Sequence, residues 1–355
     1  MSKQRLGVVF GGRSVEHEVS VVSAMSVLEQ ADRKRFDVVP FGVTRDGRWL
    51  LPDEAQRQLD RDDPPFRKRI ESDLPALSQR PEVLGELARC DVVFPLMHGV
   101  NGEDGTLQGM LEMLALPYVG CGVAASALGM DKALQKLLFR QAGLDVAPFL
   151  TVTLNQWQAE REMVALEASQ SLGYPVFVKP ANGGSSVGVS KVRSREDLAE
   201  AMQAAFALDG KALIESAVKG RELECGVLGN TEPQASPIGE ITPSGEFYDY
   251  NAKYIEETAR LTAPADLPDE TAEELQDLAI EAFQAIDGEG FARVDFFLPK
   301  GEEPVINEIN TIPGFTPISM FPRLWALAGV SYSELISRLA DLAIERFQRR
   351  GAYGA

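Results

Sequence analysis

Apolar runs of strand length alternate with stretches of helical spacing through roughly the first third of the chain. Leu6-Gly-Val-Val-Phe10 is a continuous apolar run, closed by Gly11-Gly12-Arg13-Ser14. Val21, Val22, Met25 and Leu28 then recur at helical spacing, which predicts a helix over 20–31. Phe36 to Val43 is a second strand. Cys90 to Leu96 is another, ended by Met97-His98-Gly99. Leu107 to Leu114 is a short helix, and Tyr118-Val119 a short strand. Strand–helix alternation with short turns predicts an α/β domain with an open parallel sheet. The functional edge of such a sheet lies at the carboxyl ends of its strands. Glu16-His17-Glu18 and His98 both fall at such ends. Residues 42–88 are the least regular region, with proline and charge clusters such as Asp60-Arg-Asp-Asp-Pro-Pro. They read as long surface loops with a marginal helix, an insertion.

The pattern changes near residue 131. Met130-Asp131-Lys132 opens a helix that runs to Gly143, with Asp131 suited to its N-cap, and a first domain boundary is placed there. Strands follow at Pro175–Pro180, Val189–Val192, Ala212–Glu215, Glu222–Leu228 and Ile238–Thr242. Helices are predicted over 195–208, 269–286 and 332–347, with a polar loop over 251–260. Near the C-terminal end, Phe291–Leu298 and Pro304–Asn310 alternate apolar and polar residues around Pro299-Lys-Gly-Glu-Glu, the pattern of a β-hairpin. A turn centred on Gly301-Glu302 sets Asp295 opposite Glu308 and Arg293 opposite Asn310. Side chains repeat every two residues, so all four share a face. Opposed Cβ atoms lie roughly 4.5–5.5 Å apart, and two carboxylates that close repel unless a cation sits between them. With the Asn310 amide they form an all-oxygen set suited to Mg²⁺ or Mn²⁺. The alternative is an ordinary solvated hairpin whose charges mark the wet face. The Pro-Gly turn after Thr311-Ile favours the metal platform, because it brings backbone N–H groups close by.

Composition narrows the classes. A chain of 355 residues has room for two or three domains. A net charge of −18 argues against nucleic acid as a partner, which demands a basic surface. Cys90, Cys121 and Cys225 are widely spaced and odd in number, which fits a reducing cytoplasm better than a disulfide or zinc framework. No apolar run of about 20 residues occurs, so no membrane partner is expected.

The remaining motifs each admit two readings. Gly183-Gly184-Ser185-Ser186-Val187-Gly188 follows a strand and suits backbone contact with phosphate. It lacks the Lys-Ser/Thr of a P-loop and precedes a strand, so it is either a different phosphate loop or a plain hairpin turn. Gly120-Cys-Gly122-Val-Ala-Ala125 fits the dinucleotide pattern, but no acid-ended strand stands about 20 residues further on; it reads equally as a helix start packed on a sheet. Lys132 and Lys179 have the reach for phosphate oxygens, and Lys179 sits in an apolar run where an unpaired charge is costly. Glu215 and Glu222 flank a strand junction. They are either exposed termini or acceptors for nucleotide hydroxyl and amino groups. His17 and His98 are the only histidines, too few for a zinc site without other ligands.

In order along the chain, Gly11-Gly-Arg-Ser-Val-Glu16-His-Glu-Val-Ser20, Leu96-Met-His98-Gly-Val-Asn-Gly-Glu-Asp-Gly-Thr-Leu-Gln-Gly109, Met130-Asp-Lys132, Val178-Lys179-Pro and Gly184-Ser185-Ser186-Val-Gly188 resemble the D-alanine–D-alanine ligases of the ATP-grasp superfamily. So do Tyr248-Asp-Tyr-Asn-Ala-Lys253-Tyr254, Arg293-Val-Asp295 and Glu308-Ile-Asn310 through Ser319. Coverage is weakest over residues 46–86, which are similar to the variable insertion of longer family members. The resemblance implies an N-terminal α/β substrate domain (1–131) and a two-lobed ATP-grasp domain (132–218 and 219–355) with ATP between the lobes. It implies ATP-dependent joining of two D-alanines through a D-alanyl phosphate, for peptidoglycan synthesis, in a cytoplasmic homodimer. Asp295, Glu308 and Asn310 would hold two Mg²⁺ (or Mn²⁺), and Lys132, Lys179, Lys253, Ser185 and Ser186 would contact ATP phosphates. Glu215 and Glu222 would hold adenine and ribose. Glu16 would take the ammonium of the first D-alanine, beside His98. Ser319 and Gly314 would hold the second D-alanine, and Arg293 with the Gly314 N–H would stabilise the oxyanion. Ser185 and Tyr254 would hydrogen-bond toward Glu16 and close a lid over 248–260. Relatives that use D-lactate carry Phe at the position of Tyr254, so Tyr254 implies D-alanine as acceptor. Two rivals stand beside this: a nicotinamide-dependent oxidoreductase built on Gly120-Cys-Gly122, and a nucleotide-binding module without catalysis.

Overall fold

The structure, a computed structural model, describes residues 3–64, 68–242, 260–316 and 318–352. The first unit runs β1 (Gln4–Gly11), α1 (His17–Gln30), β2 (Phe36–Val43), α2 (Pro52–Leu59), α3 (Pro81–Leu87), β3 (Val92–Pro95), α4 (Thr106–Met113) and α5 (Val123–Met130). Its strands are parallel in the order β2-β1-β3. The continuous apolar run of β1 is buried on both faces, as a central parallel strand requires. The sheet is therefore the open parallel one that strand–helix alternation predicted. Helix α1 begins three residues earlier than its apolar spacing suggested, so Glu16, His17 and Glu18 stand at a helix start instead of in a loop.

The next segment runs α6 (Lys132–Gln141), β4 (Phe149–Thr153), α7 (Leu154–Ser171), β5 (Val176–Pro180), β6 (Ser190–Val192), α8 (Leu198–Phe206) and β7 (Lys211–Ser216). Its four strands form an antiparallel sheet in the order β4-β7-β5-β6. The Asp131 carboxylate accepts from the N–H groups of Ala133 and Leu134, so it is the N-cap of α6. The last segment runs β8 (Arg221–Gly229), β9 (Gln234–Thr242), β10 (Arg260–Thr262), α9 (Asp269–Ala285), β11 (Gly290–Leu298), β12 (Val305–Asn310), α10 (Met320–Leu327) and α11 (Tyr332–Ala352). Its five described strands form a second antiparallel sheet, β10-β9-β8-β11-β12.

Packing crosses these segments. Leu335, Ile336, Leu339 and Ala343 of α11 pack with Leu6, Val8 and Phe94 of the parallel sheet, while Phe139 of α6 packs with the five-stranded sheet. Phe94, Phe291, Phe315 and Phe321 meet edge-on or tilted, with ring centroids 5.3–6.3 Å apart. Such pairs add about 0.5–1.5 kcal/mol each beyond area burial. They fix the parallel sheet against β11 and the 311–319 loop. No helix among the described residues is long and apolar enough to cross a membrane.

Two expectations need correction. Residues 42–88 hold more than loops with a marginal helix: their described residues include α2 and α3, and Ala55, Leu59 and Ile70 are buried in the core of the parallel sheet. Segments 149–153 and 154–171, for which no element was predicted, are β4 and a long helix. Helix α7 buries only Trp157, Val164, Ala165 and Ala168, too thin an apolar stripe to stand out in a polar sequence.

Candidate active site

The hairpin of β11 and β12 carries the expected pairs. Arg293 lies opposite Asn310 and Asp295 opposite Glu308. Past Asp295 the register shifts by one: Phe296 faces Ile306 and Asn307 is the extra residue of a bulge. The bulge turns the Asn307 carbonyl toward Lys136, whose ammonium donates to it at 2.8 Å.

On the shared face, Arg293 reaches along its own strand to Asp295, with Nε and Nη2 at 2.6 and 2.7 Å from the two carboxylate oxygens. The Asn310 amide donates to the same carboxylate at 3.0 Å. Glu224 of β8 faces Asp295 from the other neighbouring strand and lies 3.2 Å from Arg293. Burial alone would lower the Arg293 pKa, but Asp295 and Glu224 outweigh it and hold the guanidinium charged. Glu308 pairs with Lys132 at 3.0 Å. The two opposed acids are thus each neutralised by a cation here, which is what close carboxylates in a half-buried place demand.

Lys132, Glu224, Asp295 and Glu308 border a cavity of about 560 Å³ between the two antiparallel sheets. Lys132, Lys179, Glu215 and the 183–187 loop line it from one side, and Glu222, Asp295 and Glu308 from the other. The Glu215 carboxylate sits between two ammoniums, Lys136 and Lys179, each at 2.5 Å. Burial disfavours its charge, yet the two lysines bring its pKa down to about 2. Burial pulls Lys136 itself down despite Glu215. Lys132 also donates to Gly183 O at 2.7 Å, which ties the start of α6 to the glycine loop. In that loop Ser185 and Ser186 both take positive φ, 49° and 58°. Non-glycine residues there cost of order 1–3 kcal/mol, and such strain is concentrated at ligand clamps. The turn it produces bares successive N–H groups, a form suited to anions.

The parallel sheet is linked to this cavity through the glycine loop. The Ser185 hydroxyl donates to Glu16, joining the glycine loop to the start of α1. A Cβ at Gly184 would stand 3.0 Å from the Glu16 carboxyl carbon, and one at Gly99 3.3 Å from Glu16 Oε2. Both positions therefore leave room for that carboxylate. His98 is buried, with Nδ1 3.1 Å from Ile312 O and Nε2 3.3 Å from Ser23 Oγ. Burial pushes its pKa down, so it is neutral. It braces the 97–102 turn against the 311–319 loop. There Ser319 Oγ accepts from Thr316 N–H at 3.0 Å, and a Cβ at Gly314 would stand 2.9 Å from that same Oγ. Lys253 and Tyr254, with most of the expected lid, lie outside the described residues.

The match to family models covers nearly all of this architecture: "D-ala D-ala ligase N-terminus" over residues 5–121 and "D-ala D-ala ligase C-terminus" over 138–341. The chain belongs to the D-alanine–D-alanine ligase family. It is 46% identical to the D-alanine–D-alanine ligase of Acetivibrio thermocellus, with 97% of each chain covered. It is 49% identical to that of Geobacillus kaustophilus, over 98% of this chain and 96% of the relative. Among solved structures, the D-alanine–D-alanine ligase of Coxiella burnetii superposes with a TM-score of 0.82 at 32% identity, covering 99% and 97% of the two chains. The VanG D-Ala:D-Ser ligase of Enterococcus faecalis gives 0.81 at 35% identity, covering 96% and 100%. The fold is the ATP-grasp fold of these ligases, with its two antiparallel sheets facing across the cavity.

Sequence reasoning missed three side chains of the site. Lys136 is fully buried and repeats Lys132 one helical turn on, which was its one available signal. Glu224 alternates with Glu222 along β8. Glu103 stands close enough to Glu16 and Lys132 to feel their charge, and burial with Glu16 pushes its carboxyl up to about 8. Gly120 and Gly122, the candidate dinucleotide turn, are filled from within: Arg346 of α11 donates to Gly120 O and to Tyr118 O. That turn is a packed helix start.

Proposed function

We propose that this chain joins two D-alanines into D-alanyl-D-alanine, converting ATP to ADP and phosphate, and so supplies peptidoglycan synthesis. The observation that carries the reading is the cavity itself. Lys132 and Lys179, a strained glycine–serine loop and two opposed acids converge on it, and Glu16 is bonded to that loop from the parallel sheet. A carboxylate cannot lose oxide, so it must first be activated. Oxygen of the first D-alanine's carboxylate attacks the γ-phosphorus, ADP leaves, and an acyl phosphate forms. The amine of the second D-alanine, after losing a proton, attacks the acyl carbon, and phosphate leaves with the carboxylate oxygen.

The residues divide this work. Glu16 holds the ammonium of the first D-alanine, with His98 lining that pocket. Lys132, Lys179, Lys253, Ser185 and Ser186 hold phosphates, with Glu215 and Glu222 at the adenine and ribose. Arg293 and the Gly314 N–H face the oxyanion, which fixed donors stabilise more in the transition state than in the ground state. Ser319 and Gly314 hold the second D-alanine, and Tyr254 closes over Glu16 with Ser185. The donor set of Asp295, Glu308 and Asn310 is all oxygen and already demands positive charge, which fits a hard divalent cation. These three would hold two Mg²⁺ (or Mn²⁺), which offset charge on the phosphate oxygens when bound. The acyl phosphate hydrolyses readily, so the site must exclude water.

A D-serine acceptor is the second reading, because one structural neighbour is a D-Ala:D-Ser ligase. Tyr254 supports D-alanine over D-lactate. ADP release measured with D-alanine, D-serine, D-lactate and L-alanine separates these outcomes. D-alanine alone should suffice for full turnover; a rate that needs D-serine or D-lactate as second substrate overturns the assignment. We further propose domains at 1–131, 132–218 and 219–355, a homodimer, and a cytoplasmic setting that accords with three buried free thiols. Sedimentation of the purified chain tests the dimer.

A further inference from the structure

His17 is fully buried beside Glu16, and both of its ring nitrogens are engaged. Nδ1 lies 2.7 Å from Gly12 O, and Nε2 lies 3.0 Å from the Ile70 N–H. A carbonyl can only accept and a backbone N–H can only donate, so the ring is neutral with its proton on Nδ1. Ile70 belongs to the 46–86 insertion, to which neither the motifs nor the proposed chemistry gives a task. Its side chain is buried beside Gly42 and Ala55. The residue before it, Arg69, pairs with Glu18 at 2.7 Å. Glu18 also pairs with Arg45, which donates to Ser14 O at 3.0 Å, and the Ser14 hydroxyl accepts from the Glu16 N–H at 3.1 Å. Lys68 is buried and caps the preceding loop by donating to Leu59 O and Arg61 O. Residues 68–70 thus lie across the turn that carries Glu16 and are tied to it on both sides.

We propose that residues 68–70 are a strap that sets the position of Glu16, and that His17 is the positioning residue through which the strap acts. The proposal rests on the reading that Glu16 holds the first D-alanine. His17 touches no substrate; it sets the loop from Gly12 to Glu16 between β1 and the strap. The insertion is then part of the substrate pocket's support, although it lies outside the cavity.

Two substitutions separate the two bonds of the ring. His17→Asn can still donate to Gly12 O but cannot reach Ile70; His17→Gln can still accept from Ile70. Losing one buried hydrogen bond amounts to about a tenfold effect. His17→Asn should raise the apparent KM for D-alanine about tenfold, with kcat and the KM for ATP little changed, and His17→Gln should restore it most of the way. Arg69→Ala, which cuts the outer tie at a half-exposed side chain, should give a smaller rise. It should also speed amide exchange over residues 11–20. Loss of thermal stability with unchanged KM and unchanged exchange over 11–20 in all variants overturns the proposal and leaves His17 a core residue. The exchange measurement needs no turnover. A wild-type chain that makes no ADP with D-alanine therefore sinks the functional reading, while exchange still decides the strap.

Discussion

At the scale of single residues, the site consists of charges that are stable only in company. Glu215 remains ionised in the interior because Lys136 and Lys179 flank it, and Lys136 holds the bulge carbonyl of Asn307 as well. Removing one partner of a buried ion pair leaves a desolvated charge, which costs about 3–5 kcal/mol. Lys136→Met should fall at the lower end of that range, since Lys179 still faces Glu215. Urea denaturation reads it as a lower midpoint with an unchanged m-value, and an unaltered midpoint would show the pair to be dispensable. The hairpin face is built in the same way: Asp295 and Glu308 are neutralised by Arg293 and Lys132.

At the scale of elements, a few local geometries decide what the cavity admits. The glycine loop approaches Glu16 closely enough that Gly184 has no room for a methyl group. Gly184→Ala should reduce kcat/KM at least tenfold and leave the melting temperature within a few degrees, because the loop contributes little to the core. Turnover close to wild type would mean that the loop does not close on Glu16. Much of this was legible in the chain. Alternation around Pro299-Lys-Gly-Glu-Glu gave the pairing of Asp295 with Glu308, because a period of two leaves one choice of face. The bulge at Asn307 was not legible, since an extra residue in a strand has no side-chain signature. Lys136 was hidden because a lysine in a helix ordinarily reads as solvated. The strap was hidden because proline and charge clusters mark loops, whether or not Ile70 and Lys68 end up buried.

At the scale of the whole molecule, the two antiparallel sheets of the described residues line one cavity, the Ser185–Glu16 bond joins the parallel-sheet unit to it, and the histidines help to hold that unit in place. His17 and His98 are both held neutral by burial, with pKa values below the ordinary value near 6.5. The unfolded chain therefore binds more protons than the folded one below that pH. Their contribution is complete above about pH 6.5 and is lost as pH falls toward their folded values. Glu103, held protonated to about pH 8, acts in the opposite sense, so the test is the difference between chains: from pH 7.5 to 5.5 the urea midpoint of His17→Gln should change less unfavourably than that of the wild type. An identical slope in that variant would remove His17 from the account.

The central claim is that the carboxylate of the first D-alanine is activated by transfer of the terminal phosphoryl group. That claim fixes the fate of one oxygen atom. D-alanine labelled with ¹⁸O in its carboxylate, turned over with unlabelled ATP, should deliver one ¹⁸O per dipeptide into the released phosphate. Phosphate free of label, with dipeptide formed, would contradict the account.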